Sequence, residues 1–230
     1  DVVDELPDAF VAQLKRRIRQ IKPDALLIGE VWEDASRKIA YDQRRRYFVD
    51  AELDSVMNYP FRNAIVRFMH KLDEGSREEK AHRHLSRKQW TTAQERLQAA
   101  SFLQFMLPGA PSIYYGDEAG MEGYNDPFCR RPYPWGREDR ELLAHYRLLG
   151  KLRKALPALR LGDIQFFSGG NLQLGFSRSH QGQTVKVYLN RSSDNWEIPA
   201  ARKLHLGHNL INASDDGICL GHMGYCLLEE

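Results

Sequence analysis

The chain has 230 residues, of which 42% are apolar and 28% charged, a composition typical of a water-soluble protein with one large or two modest domains. Its 33 basic and 31 acidic residues nearly cancel, which argues against nucleic acid or anionic lipid as a partner, and no apolar run approaches the length of a membrane span. Three scattered cysteines exclude a disulfide framework, and without a signal peptide the expected location is cytoplasmic.

The first part of the chain alternates between helix and strand patterns. Apolar residues recur at helical spacing over residues 10–21, and Pro23-Asp24 ends this predicted helix. The apolar run 25–32 predicts a buried strand, and residues 1–3 are interpreted as the tail of an earlier strand in a βαβ unit. The alternation continues with a strand and then a helix, over residues 53–59 and 61–69.

The middle of the chain begins with a charged segment, residues 73–88, that predicts an exposed loop or a poorly ordered stretch. A capping signature at Thr91 predicts the start of a helix that ends near Leu107. A strand over 110–115, a long rim loop over 116–136 and a helix over 139–156 are expected to follow.

Beyond Pro157 the pattern changes to short alternating runs separated by turn residues, which is typical of a small antiparallel sandwich. The predicted strands cover residues 164–167, 172–177, 184–190, 203–206 and 225–228. We therefore expect an α/β domain over residues 1–157 and an all-β domain over 158–230.

Two acids occupy positions that suggest chemistry. The run 26–29 leads directly into Glu30, and a buried strand that delivers one carboxylate to an open rim is how a (β/α)8 barrel places a catalytic group. Asp1 lies one predicted helix earlier. The two carboxylates are therefore expected at the ends of adjacent strands.

Six motifs in order resemble those of the α-amylase family, glycoside hydrolase family 13, and within it the neopullulanase, cyclomaltodextrinase and maltogenic amylase group. They cover residues 1–5, 29–32, 57–61, 107–111, 113–118 and 125–131. The resemblance extends over essentially the whole chain. It implies a partial (β/α)8 TIM barrel, with strands 4–6 and 8 and their helices, followed by the C-terminal sandwich.

The resemblance also implies roles for the two acids. Asp1 matches the nucleophile at the end of the fourth barrel strand, and Glu30 matches the general acid/base at the end of the fifth. Retaining glycosidases hold these carboxyl groups about 5 to 5.5 Å apart. Glu30 is then expected to be protonated at rest while Asp1 stays ionised.

Further residues match sugar-binding positions of the family. Trp32 lies two residues beyond Glu30, on the same face of the strand, and is expected to supply an apolar wall and a stacking surface for an acceptor sugar. Asp126 and Arg130 match an acid and an arginine that bind a donor-side glucose, although a surface salt bridge is the alternative. Asp4 and Tyr59 complete the expected contacts with the α-glucan.

Two departures from the family pattern argue that activity is impaired. The family has a His-Asp pair at the end of the seventh barrel strand, whereas this sequence contains no His-Asp dipeptide, and a stretch before Glu74 that would include that strand is missing. The first three strands are absent as well, and so are the N-terminal parts through which members of the group commonly form homo-oligomers. The chain is therefore expected to be the C-terminal portion of a longer parent.

Three functions remain open at this stage. The first is a retaining hydrolase, with some transglycosylation, that cleaves α-1,4-glucosidic bonds in maltooligosaccharides, cyclodextrins or pullulan. The second is a noncatalytic glucan-binding remnant, and the third is an incomplete gene product without function. No cofactor is expected, and a metal site is not favoured because the C-terminal histidines and cysteines match no familiar spacing.

Overall fold

The computed structural model describes residues 2–49, 52–70, 87–123, 126–170 and 172–230. The chain divides into two compact units, residues 1–74 and 75–230. The domain boundary expected at residues 157/158 stays a prediction. Within the described ranges, no helix is long and apolar enough to cross a membrane.

The first unit combines two helices with very short strands. Its elements are a 3-10 turn Val3–Glu5, α1 Asp8–Ile21, β1 Ile28–Gly29, β2 Ile39–Ala40, β3 Gln43–Arg44, β4 Ser55–Val56 and α2 Tyr59–His70. Strands β1 and β4 are parallel neighbours, while β2 and β3 form a small hairpin. Parallel pairing places the residues that follow β1 and β4 at the same edge of this pair.

The helices of this unit confirm the prediction, and the strands are shorter than expected. The runs 25–32 and 53–59 pair over two residues each, since only those backbone groups meet in register. The interpretation of residues 1–3 as a strand tail is wrong, because Val3 begins a 3-10 turn. The Val3 amide nevertheless donates to the Glu30 carbonyl oxygen at 3.1 Å, so the chain start lies alongside the end of β1.

A small apolar core and several ion pairs hold the first unit together. The buried core consists of Val3, Val11, Val31, Ala35, Tyr47 and Leu53. Phe10 and Ile21, which the helical pattern placed on the buried face of α1, are exposed instead, and Val11 lies in the core. Asp54 accepts the Leu27 amide and pairs with Lys15 at 3.0 Å, which fastens α1 to the β1 region.

The second unit contains longer elements. They are α3 Arg87–Met106, a 3-10 turn Asp117–Ala119, α4 Arg140–Ala155, α5 Pro157–Leu161, β5 Asp163–Gly170, β6 Gln173–His180, β7 Gln183–Asn190, β8 Trp196–Pro199, β9 Lys203–Ser214 and β10 Gly217–Glu229. The predicted helix over 139–156 is confirmed, and the Asp139 carboxylate caps it by accepting the amides of Glu141 and Leu142.

Two expectations in this unit are wrong. Helix α3 begins at Arg87, four residues before the capping signature at Thr91. Residues 110–115 form no strand among the described residues. Pro111 lacks the amide hydrogen that a ladder needs, and an apolar run becomes a strand only where backbone partners are present.

The β strands of the second unit form one curled antiparallel sheet in the order β5-β6-β7-β10-β8, with β9 also paired to β10. Strand β10 pairs with β8 over residues 217–220 and with β7 over residues 224–229. The antiparallel arrangement is confirmed. The strand pairing gives a single continuous sheet, where a sandwich of two packed sheets was expected, and it includes β8, which the sequence pattern missed.

Helices α3 and α4 pack in the core of this unit. The Phe102 ring stacks on Tyr225 of β10 with centroids 4.5 Å apart. Two buried arginines bind carbonyl oxygens at the end of α3: Arg153 binds those of Phe105 and Leu107, and Arg178 binds that of Met106. Guanidinium groups suit this place because the last carbonyls of a helix have no partners within it and carry partial negative charge.

Candidate active site

Glu30 directly follows β1, at the edge where β4 also ends. The residue before it, Gly29, is closely packed, since a Cβ there would lie 2.5 Å from Leu53 Cδ1 and 3.1 Å from Val3 Cγ1 and would make the Leu53 side chain shift. The close packing of Val3 and Leu53 against this glycine fixes the end of β1. The half-buried Glu30 side chain is therefore presented from an anchored backbone.

Three donors converge on the Glu30 carboxylate. Trp32 Nε1 donates to Oε1 at 3.0 Å, and the Tyr59 hydroxyl donates to the same oxygen at 3.3 Å. The Val2 amide donates to Oε2 at 3.3 Å. These donors come from the chain start, from the segment after β1 and from the first residue of α2.

The hydrogen bonds around Glu30 act on the pKa of its carboxyl group. The hydrogen bonds from Trp32 and from the Val2 amide hold the pKa of Glu30 below its ordinary value. A carboxyl group that accepts three hydrogen bonds is stabilised as the anion. Trp32, expected to supply an apolar wall, also donates a hydrogen bond to this carboxylate, and the expected protonation of Glu30 at rest stays a prediction.

Trp32 and Tyr59 form a small aromatic surface beside this carboxylate. Their ring centroids are 6.0 Å apart with 37° between the planes, and the Trp32 side chain is 62% exposed. Burial and the nearby Glu30 carboxylate raise the pKa of Tyr59, so its hydroxyl keeps its proton and remains a donor. An exposed indole next to a carboxylate is suited to stacking against the apolar face of a sugar ring.

Asp4 lies in an internal network. Its Oδ1 accepts from the Tyr47 hydroxyl at 2.6 Å, and its Oδ2 pairs with Lys38 Nζ at 3.0 Å. Arg45 binds the Leu6 carbonyl and pairs with Asp8 at 3.0 Å. Both oxygens of Asp4 are thus engaged in holding the loop 33–49 against the chain start, and its expected role in sugar binding stays a prediction.

Sequence reasoning missed three members of this network, Lys38, Arg45 and Tyr47. Arg45 belongs to the run Arg44-Arg45-Arg46, which the sequence favours as a basic patch that is solvated or supported by packing over a phosphate site. The structure buries Arg45 and leaves Arg44 exposed, so both descriptions apply within one run. Asp1 lies outside the described residues, and its expected role as nucleophile stays a prediction.

Asp126 and Arg130 belong to the second unit and pair with each other. Arg130 Nη2 lies 2.8 Å from Asp126 Oδ2, and both side chains are well exposed. The neighbouring carboxylate of Asp126 raises the pKa of Arg130. An exposed acid and guanidinium at this spacing present both acceptors and donors to a ligand rich in hydroxyl groups.

Two of the histidines near the C-terminus, His205 and His222, contact different partners. His205 pairs with Glu229 at 2.7 Å, and His222 Nδ1 lies 3.0 Å from the Ser192 carbonyl oxygen. Within the part of the chain that the structure describes, no three acidic, histidine or cysteine side chains come together in a way that could hold a metal ion.

Comparison with known proteins gives a consistent picture. The chain is 32% identical over 228 residues to a cyclomaltodextrinase of Geobacillus thermopakistaniensis, a match that takes in 86% of this chain and 37% of that protein. It is 32% identical over 225 residues to neopullulanase 2 of Thermoactinomyces vulgaris, with 84% and 36% covered. No protein-family model matches the chain.

Solved structures agree with the fold. The debranching enzyme of Nostoc punctiforme superposes with a TM-score of 0.72 at 24% identity, over 98% of this chain and 56% of that one. The chain thus spans well under half the length of the curated relatives it matches, and slightly more than half of this structural neighbour. This neighbour is a barrel enzyme, and which of its strands the short strands of the first unit match stays a prediction.

Proposed function

We propose that the chain is a glycoside hydrolase of the α-amylase family and that it acts on α-1,4-linked glucans such as maltooligosaccharides, cyclodextrins or pullulan. The names of the relatives support this substrate class. The observation that carries the proposal is the placement of Glu30 at the end of a parallel strand, beside the exposed ring of Trp32.

In the proposed reaction two carboxylates act in turn. Asp1 attacks the anomeric carbon while Glu30 donates its proton to the departing glycosidic oxygen, so one C–O bond forms as another breaks. Glu30, now ionised, then removes a proton from water as that water attacks the same carbon and releases Asp1. Configuration at the anomeric carbon is retained because it is inverted twice.

The remaining predicted residues are assigned to sugar binding. Trp32 and Tyr59 offer an aromatic surface next to Glu30, where an acceptor glucose ring can stack. Asp126 and Arg130 are proposed to hydrogen-bond a donor-side glucose, and Asp4 is proposed to line the acceptor side.

We infer that hydrolysis by this chain is slow. The sequence has no His-Asp dipeptide to grip the distorted sugar, and the loss of one preorganised transition-state donor costs about 10² to 10³ in rate. The match to the Geobacillus protein runs over 228 positions although it takes in only 86% of this 230-residue chain. That relative therefore has residues inside the matched region that have no counterpart here.

The absence of a His-Asp dipeptide favours a second candidate, a glucan-binding protein without turnover. Such a protein keeps the aromatic and charged sugar contacts but lacks a competent catalytic set. It would bind maltoheptaose in a saturable way and release no reducing sugar.

The experiment measures reducing-sugar release from maltoheptaose, β-cyclodextrin and pullulan, together with calorimetric binding of maltoheptaose. The hydrolase proposal predicts slow release that is lost in Glu30→Gln and kept in Glu141→Gln, which makes the same change on an exposed residue of α4. Saturable binding without release selects the second candidate. A folded protein that neither binds nor cleaves these glucans contradicts both.

A further inference from the structure

The end of the rim loop carries an aromatic pair that takes no part in the proposed reaction. The ring centroids of Tyr133 and Trp135 are 4.6 Å apart, and the two planes are inclined by 51°. Trp135 is 81% exposed, and Tyr133 is partly exposed. The pair therefore presents open ring faces to solvent, and such faces are large contact areas for a ligand.

The backbone around this pair is held in place. Pro132 and Pro134 fix the φ angle on either side of Tyr133. The Arg137 amide donates to the Pro134 carbonyl oxygen at 2.9 Å and closes a turn in which Gly136 takes a φ of 77°. A fixed backbone lowers the entropy cost of ordering the aromatic side chains when a ligand binds.

The same turn is fastened to the start of α4. The Glu138 carboxylate accepts the amides of Glu138 itself and of Gly136, and these hydrogen bonds hold its pKa below the ordinary value. The Asp139 amide donates to the Ala119 carbonyl oxygen at 3.0 Å, while the Asp139 carboxylate caps the helix. The aromatic pair is therefore carried by a segment tied to α4 and to the 3-10 turn Asp117–Ala119.

Charged groups lie beside the Tyr133 hydroxyl. This hydroxyl donates to the Glu118 carboxylate, which also accepts the Gly116 amide at 3.0 Å. Burial and the carboxylates of Glu118 and Glu138 raise the pKa of Tyr133, whereas Arg147 of α4 lowers it. Carboxylates accept hydrogen bonds and a guanidinium group donates them, so a ligand stacked on the rings meets both kinds of group at their edge.

This combination suits a pyranose sugar. The C–H face of such a ring packs on an aromatic face, and its hydroxyl groups pair with carboxylates and guanidinium groups at the edge. A protein partner fits less well, because charged residues are depleted at the centre of protein interfaces. Two inclined rings also match a curved chain, which α-1,4 linkages produce and β-1,4 linkages do not.

We propose that Tyr133 and Trp135 form a noncatalytic binding site for an α-1,4-linked glucan. One sugar ring stacks on Trp135, and its hydroxyl groups bind Glu118 and Arg147. The choice of a glucan as ligand rests on the proposed function. The site uses none of the residues assigned to that function, so it binds the glucan whether or not Glu30 takes part in cleavage.

The first test records the indole N–H signals of ¹⁵N-tryptophan-labelled Glu30→Gln by NMR during titration with maltopentaose, because this variant cannot complete the proposed cleavage. The signals of Trp135 and Trp32 are assigned by their loss in Trp135→Phe and Trp32→Phe. The Trp135 signal is expected to shift in a saturable way. Cellopentaose, a straight chain of the same length, is expected to leave it nearly unchanged.

The second test measures how strongly native gels that contain amylose retard the protein. Trp135→Ala is expected to weaken the affinity for amylose about fivefold, which is the size of one aromatic contact. Phe166→Ala is the matched control, since it removes a 64% exposed ring from β5 of the same unit, and it is expected to keep the wild-type affinity.

Three results would overturn the proposal. One is a Trp135 signal that stays fixed at saturating maltopentaose, and another is an equal shift with cellopentaose. The third is a Trp135→Ala variant that keeps the wild-type retardation in amylose and changes only the sedimentation coefficient, since this would assign the ring to contact between copies of the chain.

The two indole signals separate this proposal from the proposed function. A shift at Trp135 with a fixed Trp32 signal, and no sugar released by the wild type, supports this site while the proposed hydrolase fails. A shift at Trp32 with sugar release, while the Trp135 signal stays fixed, supports the hydrolase and overturns this site.

Discussion

The two compact units are stabilised in different ways. In the second unit, strands of up to 13 residues pair side by side and bury large apolar side chains such as Phe102, Phe176 and Leu227 completely. In the first unit the strands have two residues each, and ion pairs and hydrogen bonds to Asp4, Arg45 and Asp54 do much of the fastening.

This difference predicts how strongly each unit depends on its buried apolar side chains. Apolar burial gives the larger share of folding free energy, whereas the attraction within the largely buried ion pairs of the first unit is offset by the cost of removing their charges from water. The sheet unit should therefore react strongly to core substitutions. The unit that carries Glu30 should react more weakly to such substitutions.

The largest effect is expected from Phe102→Ala. This ring is fully buried and stacks on Tyr225, so truncation removes apolar burial and leaves a cavity, at a cost of about 4 kcal/mol of unfolding free energy. Urea denaturation measures it. Phe128→Ala makes the same change at a ring that is 66% exposed, and an equal loss there would contradict the contrast between core and surface.

The next effect is a dependence on pH that originates at His145. Its Nε2 lies 2.9 Å from Ser101 Oγ, its ring contacts Tyr225, and His208 is close enough to disfavour a second charge. Burial lowers the pKa of His145 from 6.5 to about 4. As the pH falls below 6.5, the unfolded chain takes up this proton before the folded protein does.

Stability from this group is therefore complete above pH 6.5 and is lost progressively as the pH falls from 6.5 to about 4, by at most about 3 kcal/mol in total. Unfolding free energies measured across this range should show the loss in the wild type and a flatter profile in His145→Gln. His222→Gln, at an exposed histidine, should keep the wild-type slope. A His145→Gln profile as steep as the wild type would refute the assignment.

A smaller effect is expected in the first unit. Tyr47→Phe removes the hydroxyl that joins Asp4 to Arg45 and should cost about 1 kcal/mol. Trp32 is the one tryptophan in the first 74 residues of the sequence, so its fluorescence in variants that carry Phe at the other three tryptophans reports this unit. Tyr41→Phe, at an exposed ring, is the control. A loss above that of Phe102→Ala would reverse the order of the two units.

The smallest effect on stability is expected for Arg130→Met. The Asp126–Arg130 pair is exposed, and such pairs are worth about 0 to 1 kcal/mol. The proposed function expects a clear loss of maltoheptaose affinity from the same substitution, measured by calorimetry beside Arg137→Met. A variant that loses stability and keeps its affinity would assign this pair to the structure alone.

Local signals explain what the sequence could predict of the fold. Helix α4 was placed within a residue at each end because Asp139 caps it and its apolar residues recur at the helical period. Strand β8 was missed because Trp196–Pro199 is only four residues long and follows a run of turn residues. The run 110–115 was misassigned because apolar composition does not reveal whether backbone partners are present.

Some residues of the candidate site are suggested by a local sequence pattern, and others are brought there only by long-range contacts. Glu30 could be found because an apolar run ends in a carboxylate, and Trp32 because it is two residues further along. The contacts of Lys38, Arg45 and Tyr47 with the chain start join residues more than 30 positions apart. No local pattern encodes them, and the same holds for the hydrogen bonds that Val2 and Tyr59 donate to Glu30 from 28 and 29 positions away.

The most direct test of the central claim is mass spectrometry of Glu30→Gln after incubation with α-maltosyl fluoride. Fluoride departs without an acid, whereas hydrolysis of the glycosyl intermediate needs the Glu30 carboxylate as base. The account predicts one maltosyl adduct that accumulates on the peptide containing Asp1 in Glu30→Gln and is scarce in the wild type. A folded Glu30→Gln protein that gains no adduct, or carries it on another residue, would contradict the account.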